Sequence, residues 1–108
     1  MILGILAALS GAIAVAAGAF GAHGASGPAV EWLKTGGQYQ LIHAVAAVVV
    51  LRMEARGPAS LFVIGGAIFA GTLYLMALGA PRWLGAVTPI GGLLLIGGWL
   101  WLAWTLRG

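Results

Sequence analysis

Residues 1–22 of the chain, MILGILAALSGAIAVAAGAFGA, contain no charged side chain. A membrane-spanning helix needs about 20 mainly apolar residues, because the hydrocarbon core of a bilayer is about 30 Å thick and each helical residue advances about 1.5 Å. The stretch therefore predicts a transmembrane helix. A cleavable signal peptide is the alternative, and it is disfavoured because no Lys or Arg precedes the apolar residues.

The rest of the chain predicts three more helices of the same kind. Proline and glycine residues separate the apolar runs, which predict helices at about 28–54 (or 38–54, if the stretch after Pro28 is excluded), 58–79 and 86–106. The longest runs lack the alternation of apolar and polar residues that strands of a membrane barrel show. We therefore expect an all-α membrane protein, a compact bundle of four transmembrane helices in which residues 1–108 form a single domain.

The composition excludes a soluble domain. Hydrophobic residues make up 62% of the chain and charged residues 6%, which is too little charge to cover a water-exposed surface. The net charge of +3 comes from cationic residues scattered along the chain, whereas a nucleic-acid-binding surface needs them clustered on one face. The absence of Cys excludes disulfides and thiolate metal sites. The expected surroundings are a lipid bilayer, and no nucleic-acid partner is expected.

The cationic residues favour one orientation across the membrane. With four spans, Arg52, Arg56 and Arg107 lie on the side of the N-terminus, and Lys34 and Arg82 lie on the other side. Cytoplasmic loops carry the excess of Lys and Arg. The small difference between the two sides predicts that both termini are cytoplasmic.

Small residues recur at helical spacing and predict close helix packing. In the first helix Gly4, Gly11 and Gly18 are each separated by seven positions, and the third and fourth helices contain similar pairs. Small side chains let helix backbones approach each other in lipid, where the hydrophobic effect does not drive association. We interpret these glycine-rich stripes as packing seams, either within the bundle or between copies in a homo-oligomer.

Most of the polar side chains that could carry chemistry lie between His23 and His43. A polar group at membrane depth is a functional hypothesis by default. Residues three or four positions apart are neighbours on a helix, so Gln40 and Tyr39 lie beside His43, and a buried imidazole should be neutral. The favoured interpretation is an interhelical hydrogen-bond network that joins the first two helices. Its predicted members in this stretch are His23, Gln38, Tyr39, Gln40 and His43.

Three other hypotheses stay open for these residues. A neutral imidazole can bind a haem iron, a metal or a quinone carbonyl, so His23 and His43 could hold a small ligand or cofactor. The same groups could bind a transported substrate. Hydrolytic catalysis is the least favoured, because Asp is absent and no nucleophile has a base and an orienting acid beside it. Two histidines alone are a weak metal signal, so the sequence predicts no metal site, no resident cofactor and no enzyme activity.

Three further polar residues complete the candidate set. Thr88 precedes Pro89, and it is predicted to cap the fourth helix with Pro89 in the first helical position. The Tyr74 hydroxyl needs a hydrogen-bond partner if it is buried, and Gln40 or His43 could supply one. Thr72 lies close to Tyr74 in the third predicted helix.

Four short motifs follow one another along the chain: GAFGAHG (residues 18–24), YQLIH (39–43), FAGTLY (69–74) and TPIGG (88–92). This ordered set resembles the YgdD-like family of small membrane proteins, known as domain of unknown function 423, over nearly the whole chain. The chain departs from the family's usual pattern at Ala70 and Thr72, where Ser is common. The resemblance implies a bacterial inner-membrane protein with mitochondrial relatives, and it implies no particular activity. The family's motif residues match His23, Gln40, His43, Tyr74 and Thr88 here.

From the residues and the resemblance we predict an integral membrane protein with a structural or accessory role, which self-associates or joins a larger membrane complex. No charged residue lies in mid-membrane, where ion-coupled transporters need one. A small homodimeric transporter is the first alternative, suggested by the chain length and the four expected spans. Binding of a small ligand such as a quinone or haem through His23 and His43 is the second.

Overall fold

The chain folds entirely into helices and the turns that connect them. The structure, a computed structural model, describes all 108 residues. In chain order it contains α1 (Ile2–His23), α2 (Pro28–Arg52), α3 (Arg56–Ala77), a 3₁₀ helix (Arg82–Ala86) and α4 (Thr88–Thr105). The prediction of an all-α protein is therefore confirmed.

Two of the helices end in the same hydrogen-bonded turn. α3 ends in a Schellman motif, in which Gly79 has a φ of 104° and the Ala80 N–H donates to the Leu75 carbonyl at 2.9 Å. α2 ends in the same motif, but Glu54 occupies the position that glycine takes in α3. Glu54 has a φ of 59°, a left-handed conformation that costs a residue with a Cβ about 1–2 kcal/mol. The turn between α2 and α3 therefore contains a strained backbone position.

Helices that are consecutive in the chain pack against each other. α2 lies between α1 and α3, α3 lies between α2 and α4, and α1 also touches α3. The structure has no extensive contact between α1 and α4. The molecule measures 47 × 25 × 20 Å, and its long dimension suits a bilayer that is about 40–45 Å thick with its headgroups.

The contact between α1 and α2 uses small residues. The buried residues of α1 are Ala7, Ser10, Ala14 and Gly21. The stripe of Gly4, Gly11 and Gly18 lies beside this buried face. A Cβ added to Gly11 would lie 3.8 Å from the Ala44 Cβ, and a Cβ added to Gly18 would meet nothing within 4 Å. The stripe therefore lies at the edge of the α1–α2 contact and is open at Gly18.

A hydrophobic cluster of mostly small side chains brings all four α-helices together. It is formed by Ala7, Ala47, Val50, Ala55, Ala59, Phe62, Val63, Leu95 and Leu102. Phe62 of α3 is the largest side chain that is fully buried. α3, which supplies Phe62, is therefore at the centre of the packing.

Three helical segments are long and apolar enough to cross a membrane: Ile2–His23, Arg56–Ala77 and Arg82–Thr105. The last segment combines the 3₁₀ helix with α4. α2 is the longest helix, with 25 residues, but it contains Glu31, Lys34 and the polar residues around Gln40. Length and composition therefore identify three spans where the sequence predicted four, because α2 carries the polar side chains of the interior.

α1 and α4 face their surroundings over most of their surface. In the apolar part of α1, 17% of the residues are buried, and the value for the segment Arg82–Thr105 is 22%. The value for α3 is 50%. The outward faces of α1 and α4 are apolar, so they need lipid or another protein against them.

A buried polar network as the candidate functional site

The side chain of Gln40 joins three helices. It is buried in α2, the helix that lies between α1 and α3. Its Nε2 donates to Ser10 Oγ of α1 at 3.0 Å, and its Oε1 accepts from the Tyr74 hydroxyl of α3 at 2.6 Å. One amide can do both because it has a donor end and an acceptor end. Gln40 thus connects α2 to both neighbouring helices. It is also one of the two hydrogen-bond partners that the sequence suggested for the Tyr74 hydroxyl.

Two glycines one turn before Gln40 allow these neighbours to come close. A Cβ on Gly36 would lie 2.7 Å from the Cε1 atom of Tyr74. A Cβ on Gly37 would lie 3.0 Å from the carbonyl oxygen of Ala14, which is closer to the backbone of α1 than an ordinary van der Waals contact. The bare backbone at these positions therefore sets the helix separation that the Gln40 side chain can bridge.

His43, one turn after Gln40, uses both of its ring nitrogens. Its Nε2 accepts from the indole N–H of Trp99 in α4 at 2.9 Å. The Nδ1 atom lies 2.6 Å from the Tyr39 carbonyl oxygen, which can only accept, so Nδ1 carries the proton. These two contacts select the neutral Nδ1–H tautomer of His43. They also link α2 to α4, two helices that are not consecutive in the chain.

Aromatic rings surround the imidazole of His43. The ring of Phe62 lies 5.6 Å from it and that of Trp99 lies 5.8 Å from it, measured between centroids. The Tyr39 ring is parallel to the imidazole at 6.4 Å and packs on Phe69 at 4.8 Å. A cavity of about 290 Å³, almost wholly apolar, lies against His43, Tyr39, Phe69 and Trp99.

Thr72 and Thr88 form a second polar contact, between α3 and α4. Their hydroxyl oxygens are 2.5 Å apart, and either can donate. The hydroxyl that accepts in this contact can donate its own proton to a carbonyl of its own helix or of the preceding turn, which is Ile68 at 3.0 Å for Thr72 or Leu84 at 3.3 Å for Thr88. Thr88 is the first residue of α4 and its side chain makes no capping hydrogen bond. The predicted cap is therefore wrong, because the Thr88 hydroxyl bonds to buried Thr72 instead.

Three of the predicted residues lie outside the network. The side chains of His23, Gln38 and Tyr39 are exposed, and Tyr39 contributes only its carbonyl oxygen and its ring. His23 is the last residue of α1. The residue after His43 packs beside Gly11, which is about 18 Å from His23 along α1 at about 1.5 Å per residue. The structure therefore does not bring the two histidines together.

Sequence reasoning missed two members of the network, Ser10 and Trp99. Ser10 has the only hydroxyl side chain in α1. Trp99 lies in the interior of α4 and not at its end, where membrane-anchoring Trp residues lie. A lone polar group inside an apolar span needs a partner within the protein, and this rule could have identified both residues.

The network is complete within the chain. Every buried side-chain nitrogen and oxygen atom has a hydrogen-bond partner. A metal or haem iron on the Nε2 atom of His43 would have to displace the Trp99 N–H. No cluster of three or more His, Asp and Glu side chains with the geometry to hold a metal ion occurs in the structure. The hydrogen bonds of Gln40 and His43 connect α2 to α1, α3 and α4.

The chain is similar to a group of small membrane proteins. A family model described as "Protein of unknown function (DUF423)" matches residues 17–92. The "UPF0382 membrane protein" of Haemophilus influenzae is 42% identical, with 92% of this chain and 88% of the relative aligned. The "UPF0382 inner membrane protein YgdD" of Escherichia coli is also 42% identical, over 88% of this chain and 81% of the relative. Comparison with solved structures finds no match.

Proposed function

The chain belongs to the DUF423 family of membrane proteins, as its motifs predicted, and from this premise we propose that it is a structural or accessory protein of the bacterial inner membrane. Its four α-helices, α2 included, cross the bilayer as a bundle. Support for the location comes from the E. coli relative, which is named an inner membrane protein. Support for the multi-span arrangement comes from the three apolar segments.

The surface of α2 supports its role as a fourth span. Gln40 and His43 are buried, so their polar groups are satisfied by other helices and not by water. A helix of this kind can lie in lipid although its mean hydropathy is low, because only its outward side chains meet the hydrocarbon. From Gln40 to Leu51, the large exposed side chains of α2 are all apolar, and they are Leu41, Ile42, Val45, Val48 and Val49.

One observation supports the structural role: the buried polar side chains already form hydrogen bonds that join the helices. Gln40, His43 and the Thr72–Thr88 pair each connect different helices, and no buried polar atom is left to recognise a substrate. Interhelical hydrogen bonds in membrane proteins contribute about 0.6 kcal/mol each on average. A transport site would instead need polar groups that can exchange a protein partner for a substrate.

Close backbone contact between α3 and α4 supports the proposal of glycine-rich packing seams. A Cβ on Gly91 would lie 2.4 Å from the backbone nitrogen of Phe69 and 2.8 Å from the carbonyl oxygen of Gly65. A Cβ on Gly98 would lie 2.7 Å from the Phe62 ring. These glycines place the two helices closer together than any residue with a side chain would permit.

The outward faces of α1 and α4 are the surfaces that we propose for self-association or for contact with a larger membrane complex. They are apolar and mostly exposed, and α1 adds the open small-residue stripe at Gly18. In this arrangement Arg52, Arg56 and Arg107 lie at the end of the molecule that also contains both termini. The excess of cationic residues supports a cytoplasmic location for this end.

Co-purification from native membranes tests the accessory role. We expect a tagged copy at native abundance to recover untagged copies or the same membrane protein in repeated isolations. Gly18→Leu should reduce that recovery about tenfold while the helix content stays the same, because a Cβ added at Gly18 meets nothing within 4 Å. Gly71→Leu is the matched control, since a Cβ at Gly71 also meets nothing within 4 Å. Repeated recovery of an isolated monomer contradicts the proposal.

The cavity beside His43 favours a second candidate function, the binding of a flat apolar ring such as a quinone headgroup. Three aromatic side chains line it together with the imidazole. Organic extraction and an absorption spectrum of the purified protein decide this, because a bound quinone or haem absorbs where the polypeptide does not. Substrate flux in liposomes that is lost in His43→Ala would instead identify the small homodimeric transporter.

A further inference from the structure

Two neighbouring cavities lie beside α1, and together they are called the groove here. The outer cavity, of about 450 Å³, lies at the end of the molecule that contains the turn between α2 and α3, and Glu54 and Arg56 line it. The inner cavity, of about 240 Å³, lies between α1 and α2 and reaches Gly11. Ala8 lines both cavities, so they adjoin at this residue. The groove therefore runs from the charged turn at one end of the molecule toward the middle of α1.

The chemistry of the groove changes along its length. Its inner part is lined only by small and aliphatic residues, with Ala8 and Gly11 on α1 opposite Val48 of α2. The small residues of α1 create the hollow, because longer side chains there would fill it. Charged side chains occur only at the outer end, where the exposed Glu54 and Arg56 lie on the rim of the same cavity. An apolar groove with charged residues at its outer end matches a phospholipid, in which apolar acyl chains lie below a polar headgroup.

The two charged side chains on the rim have opposite signs, and the N-terminal amino group of Met1 adds a positive charge to the same cavity. A guanidinium binds phosphate strongly, and a carboxylate accepts hydrogen bonds from a primary ammonium. A headgroup with both groups can satisfy Arg56 and Glu54 together, whereas an anionic headgroup without an ammonium would be repelled by Glu54. The Glu54 backbone is in the left-handed conformation that glycine adopts more easily. The strained position therefore places a carboxylate at the rim at some cost in stability, as strained residues at ligand sites do.

We propose that the groove binds a phospholipid with a phosphoethanolamine headgroup. Arg56 binds the phosphate, Glu54 binds the ammonium, and one acyl chain lies along Gly4, Ala8 and Gly11. This inference goes beyond the accessory role, because it concerns the part of α1 around Gly4, Ala8 and Gly11, whereas the self-association proposed above is tested at Gly18.

Native mass spectrometry of the full chain in detergent tests the headgroup. The probes are phosphatidylethanolamine and phosphatidylglycerol with identical acyl chains. We expect the wild type to retain phosphatidylethanolamine preferentially and Glu54→Gln to reduce that preference about threefold, the size of an exposed charge pair. Arg56→Gln should weaken retention of both lipids. Glu31→Gln and Arg52→Gln are the matched controls, since neither residue lines the groove, and both should behave like the wild type.

A second pair of variants tests the acyl-chain position. Ala8→Leu fills the point where the two cavities meet and should reduce retention of phosphatidylethanolamine about tenfold. Ala67→Leu makes the same change at an exposed position of α3 outside the groove and should have no effect. Equal retention of the two lipids by the wild type would overturn the headgroup assignment. Equal effects of the two leucine variants, or a change in oligomeric state in Ala8→Leu alone, would overturn the groove itself.

Discussion

Replacing Gln40 with Met should lower the free energy of unfolding by about 1–3 kcal/mol. The Met side chain has nearly the same length as Gln and is apolar, so the change removes the hydrogen bonds to Ser10 and Tyr74 and little else. Interhelical hydrogen bonds in membrane proteins contribute about 0.6 kcal/mol on average and about 1.7 kcal/mol at most. Because two hydrogen bonds are lost, the expected decrease in the free energy of unfolding lies between about twice the average and about twice the maximum.

The contact with Tyr74 can be measured separately in a double-mutant cycle. Tyr74→Phe removes the same 2.6 Å hydrogen bond from the other side. The two changes together should therefore destabilise less than the sum of the single changes, by about 0.6–1.7 kcal/mol. Additive effects would show that the two side chains do not interact.

Reversible unfolding in mixed micelles, followed by helical circular dichroism as the fraction of dodecyl sulfate increases, measures these differences. Gln38→Met is the matched control, because Gln38 lies on the same helix with an exposed side chain that makes no hydrogen bond. It should change the free energy of unfolding by no more than about 0.5 kcal/mol. If the variants at positions 38 and 40 unfold alike, the hydrogen bonds of Gln40 do not hold the helices together and the reasoning is refuted.

Three further changes test other parts of the structure. Trp99→Phe removes the N–H that His43 accepts, so the ¹⁵N chemical shift of the His43 Nε2 atom should change, while Nδ1 keeps its proton through its contact with the Tyr39 carbonyl; an unchanged Nε2 shift would contradict the assigned contact. Gly91→Ala places a Cβ 2.4 Å from a backbone nitrogen of α3 and should lower the free energy of unfolding by about 1–3 kcal/mol in the same assay. Gly92→Ala is its control: the nearest contact of the added Cβ is at 3.8 Å, and the change should lower the free energy of unfolding by less than about 0.5 kcal/mol. Glu54→Gly relieves a left-handed backbone and should raise the thermal midpoint, with a stability gain of about 1 kcal/mol, while Glu54→Ala should give no such gain.

The helical nature of the chain could be predicted because it depends on local properties. Residues 1–22 carry no charge, and residues of this kind in lipid must satisfy their backbone hydrogen bonds within a helix. Whether α2 spans the membrane was harder to predict, because its low mean hydropathy results from Gln40, His43 and the charged residues of its first turns. Whether such a helix spans a membrane depends on what covers its polar side chains, and that is a property of the neighbouring helices.

The pairing of polar side chains could be predicted only in part. Helical spacing placed Gln40 beside His43, but nothing in the sequence relates Gln40 to Ser10, thirty positions away, because that contact depends on how α1 and α2 align. The error at Thr88 has a related cause. A threonine before a proline satisfies a local rule for helix capping, and the buried hydroxyl of Thr72 on another helix offered a better partner. His23, in the motif GAFGAHG, was predicted to join the network, but its side chain is exposed at the end of α1.

The order of the helices has a consequence for how the protein is made. Each helix packs mainly against the one synthesised just before it, so α1 and α2 can pair as soon as both have left the ribosome, and α3 and α4 can then join in turn. The Ser10–Gln40 hydrogen bond needs only the first of these hairpins, and the bond between Tyr74 and Gln40 forms when α3 arrives. The contacts of Trp99 with His43 and of Thr88 with Thr72 form only when α4 has been made, so they are the last parts of the network to assemble.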